Sequence, residues 1–385
     1  MSAKIRVLIV DDSALVRRAL TENLSRCPDI EVVGTAVDPY VARDKILLLN
    51  PDVLTLDIEM PRMDGLTFLK RLMQHRPMPV VILSSLTGAG SAKALEALQS
   101  GAVEVLEKAS GAQSAMQDHT RLVEVIKAAA RARLRSPPAE SPANRPPPAA
   151  VPALARASVV RAAGGRHYDS RKIILMGAST GGTEALRTVL TRLGADLPGI
   201  CIVQHIPALF SLAFAQRLNE LCALEVREAR NGDHVQPGLA LVAPGGFHIV
   251  LDWRGSGYVV RLNEGPQIHY QRPAVDVLFG SAVKAGAAAH ALAILLTGMG
   301  TDGASSLLEL RAAGARTICQ DESSCVVFGM PREAIRLGAA QMILPLDQIA
   351  HYVERFANEV AVPGAQAVPT RVGLVPGTAR TFGPG

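Results

Sequence analysis

Between Ser136 and Pro148 six of thirteen positions are proline, and alanine, serine and arginine fill most of the rest. Proline fixes φ and removes an amide donor, and a stretch this poor in apolar volume cannot bury enough surface to offset its ordering entropy. The chain of 385 residues is therefore expected to fold as two separate parts, residues 1–133 and 171–361, joined by an extended linker over residues 134–170. Proline-rich stretches also serve as docking segments, and that reading stays open for the linker. Residues 362–385, rich in proline, glycine and alanine, are expected to form a disordered tail.

Composition narrows the class. With 48% hydrophobic and 19% charged residues the chain reads as globular. The formal charge of +5 comes from scattered arginines, and aromatics are few, so no nucleic-acid surface is expected. Cys27, Cys201, Cys222, Cys319 and Cys325 are odd in number and form no C-x-x-C pair, as expected of reduced, mostly buried cytosolic thiols. The N-terminus enters a strand-like run at once, which argues against a signal peptide. The longest apolar run, Ala285–Leu296, is too short to span a bilayer. A cytoplasmic monomer without membrane insertion is the expectation.

Residues 4–130 alternate short β-rich runs (Ile5–Val10, Glu31–Ala36, Val53–Leu56, Val80–Leu83, Val103–Leu106) with helical patterns (Ala14–Leu24, Tyr40–Leu49, Gly65–His75, Lys93–Gln99). That order predicts an α/β fold built on a doubly wound, five-stranded parallel sheet, whose function gathers at the carboxyl ends of its strands. Asp11 and Asp12 follow the first strand and Asp57 ends the third. Three neighbouring carboxylates repel one another and call for a cation, with Mg²⁺ best suited to an all-oxygen shell. Ser84 and Lys108, at the ends of the next two strands, would face them. An Asp-Asp pair after a strand can also be a simple helix cap, but five polar groups at strand ends exceed that role.

In the second half Ile173–Gly182 reads Ile-Ile-Leu-Met-Gly-Ala-Ser-Thr-Gly-Gly and runs into a helical pattern at Thr183–Leu193. This strand–turn–helix unit leaves Ser179 at its apex beside helix N-terminal amides, which suits a nucleophile that must generate an oxyanion. Phosphate cradles use similar turns, although the spacing here is not G-x-G-x-x-G. Gly199–Val203 ends at Gln204-His205, a helix follows over Ser211–Leu221, and residues 224–262 read as short strands with turns. Ala274–Ala285 reads as helix, and Ala291–Leu296 as a buried strand opening into Thr297–Gly303. Ala304–Ala313 and Thr317–Gln320 complete a second α/β unit.

Ser179, His205 and Asp302 thus each lie beyond a predicted strand. His205 would take the serine proton and return it to the leaving group, while Asp302 would fix the imidazole tautomer. His205 could instead be structural, and Asp302 could cap the helix at Ala304. Asp233, His234, His248, His269 and His290 rank below them because their segments read as hairpin, turn or junction. No H-x-x-x-H spacing favours metal hydrolysis, and no cofactor is expected for the hydrolytic reaction. Oxyanion donors are open among the Thr180 amide, the Thr180 hydroxyl and the Met299 amide.

Two resemblances sharpen this reading. Val-Asp-Asp-Ser at 10–13 and Leu-Asp-Ile-Glu-Met-Pro-Arg-Met-Asp-Gly at 56–65 are similar to the motifs of two-component receiver domains, which have a flavodoxin-like fold. The resemblance implies Asp57 as phospho-acceptor, Mg²⁺ held by Asp12 and Asp57 with Asp11 assisting and the Glu59 carbonyl, and Ser84 and Lys108 as phosphate-sensing residues. Ala109 stands where receivers usually carry proline, and Val105 where many carry an aromatic switch residue.

In the second half, Gly-Ala-Ser-Thr-Gly-Gly, Gln-His-Ile-Pro, Ala-Pro-Gly-Gly-Phe-His, Arg-Pro-Ala-Val-Asp-Val-Leu-Phe, Thr-Gly-Met-Gly-Thr-Asp-Gly-Ala and Val-Val-Phe-Gly-Met-Pro-Arg-Glu-Ala occur in that order. This half resembles the catalytic domain of chemotaxis protein-glutamate methylesterases, an α/β domain expected to have a mostly parallel sheet with added hairpins. The resemblance implies Ser179, His205 and Asp302 as catalytic residues, hydrolysis of chemoreceptor glutamate methyl esters, deamidation of receptor glutamines, and phosphorylation by a chemotaxis histidine kinase. It also implies that the unphosphorylated receiver covers the active-site face. The residues alone leave open a receiver-gated adaptor or a hydrolase of some other ester.

Overall fold

A computed structural model describes residues 3–84, 88–108, 114–133 and 171–359. The expected linker 134–170, the expected tail 362–385 and Ala109 lie outside the described residues. In the first unit β1 (Ile5–Val10), α1 (Ala14–Ser25), β2 (Ile30–Ala36), α2 (Pro39–Leu49), β3 (Val53–Asp57), α3 (Gly65–His75), β4 (Val80–Ser84), α4 (Gly88–Gln99), β5 (Glu104–Glu107) and α5 (Ser114–Ala129) follow in turn. The strands pair in parallel in the order β2-β1-β3-β4-β5. β3 and β4 are buried along their whole length, which is why they read as apolar runs rather than alternating ones. Ser13, Asp38 and Asp64 cap α1, α2 and α3, so it is Ser13 and neither Asp11 nor Asp12 that caps α1. Helix α5 was not read from the sequence.

The second unit runs β6 (Ile173–Ala178), α6 (Gly182–Leu190), β7 (Gly199–Gln204), α7 (Ala208–Leu221), β8 (Glu225–Glu228), β9 (Leu239–Val242), β10 (His248–Arg254), β11 (Gly257–Asn263), α8 (Val275–Lys284), β12 (Ala291–Leu295), α9 (Ala304–Ala312), β13 (Arg316–Gln320), α10 (Met330–Arg336), β14 (Met342–Leu344) and α11 (Leu346–Asn358). Seven strands form a parallel sheet in the order β14-β13-β12-β6-β7-β9-β8. The short strands at 224–262 divide in two: β8 and β9 extend this sheet in parallel, and only β10 and β11 form a hairpin.

Each parallel sheet has a central point where the strand order reverses. It lies between β1 and β3 in the first unit and between β6 and β12 in the second. Open parallel sheets leave a crevice there, outside the carboxyl ends of the strands. The predicted functional residues cluster at both points.

The units touch. Helix α4 packs on α7 and α6, with Leu95 beside Phe214 and Leu218. Arg133 pairs with Glu322 at 3.0 Å, and its amide donates to the Val326 carbonyl. Met299 and Val326 of the second unit pack against the apolar cluster of the first that contains Leu122, Val125 and Ile126 of α5. The first unit therefore lies against the carboxyl-edge face of the second.

Candidate active site and phosphorylation site

Ser179 leaves the end of β6 with its amide donating to the Thr297 carbonyl at 3.0 Å. Gly181, at φ +76°, caps α6 in the left-handed region that side chains resist. A methyl group on Gly298 would come within 2.7 Å of the Ser179 Cβ, so the Gly298–Met299–Gly300 loop approaches the nucleophile closely only because position 298 is glycine. Ser179 is 7% exposed.

His205 follows β7, its amide donating to the Ala178 carbonyl at 3.1 Å. Its Nε2 lies 2.7 Å from Asp302 Oδ2, with both side chains buried. Asp302 Oδ2 also accepts the Val275 amide at 2.6 Å, and Oδ1 accepts the Asp276 amide at 2.9 Å. Asp302 therefore does cap a helix, but it is α8 across the crevice, not the adjacent α9, which starts from Gly303. Burial alone would push the Asp302 carboxyl up; the hydrogen bond and charge of His205, with the two amides, outweigh it and hold the group below the ordinary carboxylate range. An ionised Asp302 accepts from Nε2–H, which leaves Nδ1 as the basic nitrogen. Nδ1 is buried and has no hydrogen-bond partner among the described residues. No hydrogen bond joins Ser179 Oγ to His205 among them. The histidine–aspartate half of the expected triad is assembled, and the serine–histidine half is not closed.

Two residues that the chemistry-based reading passed over hold this frame. Gln204 Nε2 donates to the carbonyls of Ser179 (2.9 Å) and His205 (3.2 Å) from a buried position. Thr297 Oγ1 donates to the Thr180 carbonyl at 2.9 Å. The sequence signals for Gln204 are its place before His205 at the strand end and its position at the head of Gln-His-Ile-Pro.

The oxyanion candidates separate. The Thr180 and Met299 amides have no acceptor among the described residues and are free to bind a developing negative oxygen. The Thr180 hydroxyl is engaged, donating at 2.6 Å to Glu104 Oε2 of β5 in the first unit. Nothing in the sequence singled out Glu104.

The lower-ranked candidates have structural partners. His248 Nδ1 accepts the Ala274 amide, and Asp233 pairs with Arg227. His234 forms an isolated bridge to Val259, and His290 ends a short 3₁₀ turn before β12. His269, at φ +51°, lies 3.1 Å from Asp276 and close to Asp302. Both Asp302 oxygens already accept amides, and Asp276 accepts from Ser305 and Ser306, so this group reads as a brace for α8 and α9 rather than a metal centre.

At the other reversal point Asp11, Asp12 and Asp57 bring carboxylate oxygens within 4.8 Å of one another. Lys108 Nζ lies 2.9 Å from Asp11 Oδ2 and 2.8 Å from Asp57 Oδ2, and its amide donates to the Ser84 carbonyl. Burial raises the Asp57 carboxyl above its usual range despite Lys108. Burial would lower the Lys108 ammonium, but its bonds to Asp57 and Asp11 outweigh that and hold it high. One ammonium facing three carboxylates leaves oxygen donors to spare, which fits a hard divalent cation such as Mg²⁺. Val105 is buried in the apolar core.

Residues 174–353 match the family model for CheB methylesterase, and residues 7–120 match that for the response regulator receiver domain. A protein-glutamate methylesterase/protein-glutamine glutaminase 2 from Syntrophus aciditrophicus is 51% identical over 353 residues, covering 92% of this chain and 99% of that protein. A protein of the same name from Rhodospirillum rubrum is 52% identical over 363 residues, covering 93% and 100%. The crystal structure of the Thermotoga maritima CheB methylesterase catalytic domain is 35% identical, with a TM-score of 0.47, covering 48% of this chain and 97% of that one. The two relatives, each at least 51% identical over nine-tenths of this chain and nearly all of their own length, establish that the chain belongs to the protein-glutamate methylesterase/protein-glutamine glutaminase family.

Proposed function

We propose that this chain is a phosphorylation-activated serine hydrolase that removes methyl groups from glutamate side chains of chemoreceptors and deamidates particular receptor glutamines. The observation that carries the reading is the buried His205–Asp302 pair at the sheet's reversal point, next to Ser179 on its glycine turn. Ser179 Oγ attacks the γ-carbonyl while His205 Nδ1 takes its proton, and Asp302 stabilises the imidazolium. The Thr180 and Met299 amides bind the oxyanion. The tetrahedral intermediate expels methanol or ammonia with the proton returned by His205, and water then hydrolyses the acyl-serine.

Asp57 is the proposed phospho-acceptor, with a chemotaxis histidine kinase as donor. Asp11, Asp12, Asp57 and the Glu59 carbonyl would hold Mg²⁺, which neutralises phosphoryl charge during transfer. Lys108 and Ser84 would then bind the phosphoryl oxygens. The unphosphorylated receiver covers the active-site face, supported by the Thr180–Glu104 bond and the α4–α7 packing; phosphorylation rearranges that interface. The protein is proposed to act in the cytoplasm as a monomer, and among the described residues no helix is long and apolar enough to cross a membrane.

A serine-directed fluorophosphonate probe tests the catalytic assignment. Peptide mapping should locate the adduct on Ser179, with labelling increased by a small-molecule phosphodonor. Absence of label on the folded, phosphorylated protein would contradict it.

A further inference from the structure

We propose that Glu104 is an intramolecular product mimic: its carboxylate occupies the subsite of the substrate's glutamyl carboxyl group, with Thr180 Oγ1 as the donor that recognises it. The proposal rests on the reading of Ser179 as nucleophile and of the receiver as the cover. It adds the means of inhibition and a residue that selects substrate.

Thr180 follows the nucleophile directly and is 2% exposed. Its carbonyl is fixed by Thr297 Oγ1, and its hydroxyl donates to Glu104 Oε2 at 2.6 Å. Among the described residues the other Glu104 oxygen accepts from the adjacent Val105 amide alone, at 3.3 Å. The carboxylate also lies within electrostatic reach of the His205 imidazole, with Arg121 as a further nearby cation. The receiver thus extends a side chain that ends in a carboxylate towards the serine turn and the base. That group is what ester hydrolysis leaves on a glutamyl side chain, on a stem of the same length.

Burying a carboxylate is costly unless charged or hydrogen-bonding partners replace water. An interface that only had to exclude solvent would be better served by an apolar side chain, as Leu95 serves against Phe214 and Leu218. Glu104 is half-buried, and a site built to stabilise negative oxygen is where such a carboxylate finds compensation. Burial still pushes the Glu104 carboxyl up, against the hydrogen bond from Thr180. The Thr180 hydroxyl would pass from Glu104 to the carbonyl oxygen of an incoming ester or amide, so the receiver and the substrate compete for one donor.

The mimicry makes a chemical prediction. In the Glu104→Gln protein the same subsite receives the group this family deamidates. Ser179 Oγ bonds to the introduced amide carbon as His205 Nδ1 takes the hydroxyl proton. The C–N bond breaks, that proton goes to nitrogen, and ammonia leaves. Water then hydrolyses the Ser179 ester, which restores the serine hydroxyl and leaves an acid at position 104.

Two arms on the full-length chain test this. The first follows methanol release from methylated chemoreceptor membranes without phosphodonor. Glu104→Ala should lower the apparent KM by about tenfold, the worth of one charge-assisted hydrogen bond, and leave kcat in place because saturating substrate displaces the mimic anyway. The second arm incubates Glu104→Gln and maps its peptides by mass. The introduced amide should convert to acid, and conversion should vanish when Ser179→Ala is combined with it. An unchanged apparent KM in Glu104→Ala overturns the proposal. So does an amide that persists in folded Glu104→Gln, which would reduce Glu104 to a packing contact even if Glu104→Ala is activated. Methanol release surviving in Ser179→Ala alone would remove the nucleophile assignment and this inference with it, which separates the two failures.

Discussion

Removal of the Asp302 carboxylate should disable chemistry and loosen the catalytic unit together. The carboxylate accepts three bonds, from His205 Nε2, the Val275 amide and the Asp276 amide. Asp302→Ala leaves two amides at the buried start of α8 unpaired and takes the charge from the histidine. With about 1–3 kcal/mol for each orphaned donor, partly recovered by water entering the vacated space, the loss of stability should be about 3–5 kcal/mol. Trp253, the only tryptophan, lies on β10, against which α8 packs, so its fluorescence follows unfolding of this unit in urea. Asp302→Asn keeps one of the two acceptor oxygens and so loses less stability than Asp302→Ala, but its amide nitrogen faces N–H donors that the other oxygen had satisfied, and it forfeits the ionised partner of Nε2–H. Its kcat should fall about a thousand- to ten-thousandfold, as expected when a triad base loses its tautomer control. The pH dependence has a definite sign. Asp302 is held below its ordinary range in the folded state, so its contribution is complete above that range and is lost as pH falls through the depressed value. The stability gap between wild type and Asp302→Ala should therefore narrow towards acid. An Asp302→Asn protein with more than about a tenth of wild-type kcat would refute the assigned role.

Gln204→Leu leaves the Ser179 and His205 carbonyls without their shared donor, and methanol-release kinetics should show a lower kcat with little change in KM, at a stability loss of about 1–3 kcal/mol. Asp57→Ala should take up no phosphoryl group from acetyl phosphate and Mg²⁺ and should lose the phosphodonor-dependent rise in methanol release; full activation would misplace the switch. Native-state alkylation at mildly basic pH, read by peptide mass, should modify Cys27 first. Cys201, Cys319 and Cys325 are buried with thiols pushed up to about 12, and Cys222 to about 11.

The central strands of both parallel sheets are legible in the sequence because they are buried on both faces and read as short apolar runs. The carboxyl-edge rule then picked out Asp11, Asp57, Ser84 and Lys108 in one unit and Ser179, His205 and Asp302 in the other. The partners of β8 and β9 are not legible, because Asn231-Gly232 and Pro237-Gly238 supply turn chemistry, which says nothing about the partner a strand finds. β14 has three residues and α10 seven, too few for periodicity to register, and both depend on packing against β13 and its neighbours. Helix α11 is long and amphipathic and was within reach of a periodicity count. The Glu104–Thr180 contact joins positions 76 residues apart across two domains, and Glu104 lies in no motif. The open Ser179–His205 gap was likewise invisible, since residue spacing gives strand ends but not side-chain rotamers.

The chain is proposed to be a serine esterase held closed by its own receiver. Methanol release from radiolabelled methylated chemoreceptor membranes tests it most directly, with wild type and Ser179→Ala each assayed with and without acetyl phosphate and Mg²⁺. Wild type alone should release methanol slowly, with a marked rise on adding phosphodonor, and Ser179→Ala should release none under either condition. No release from folded, phosphorylated wild type, or equal release from the serine variant, would contradict it.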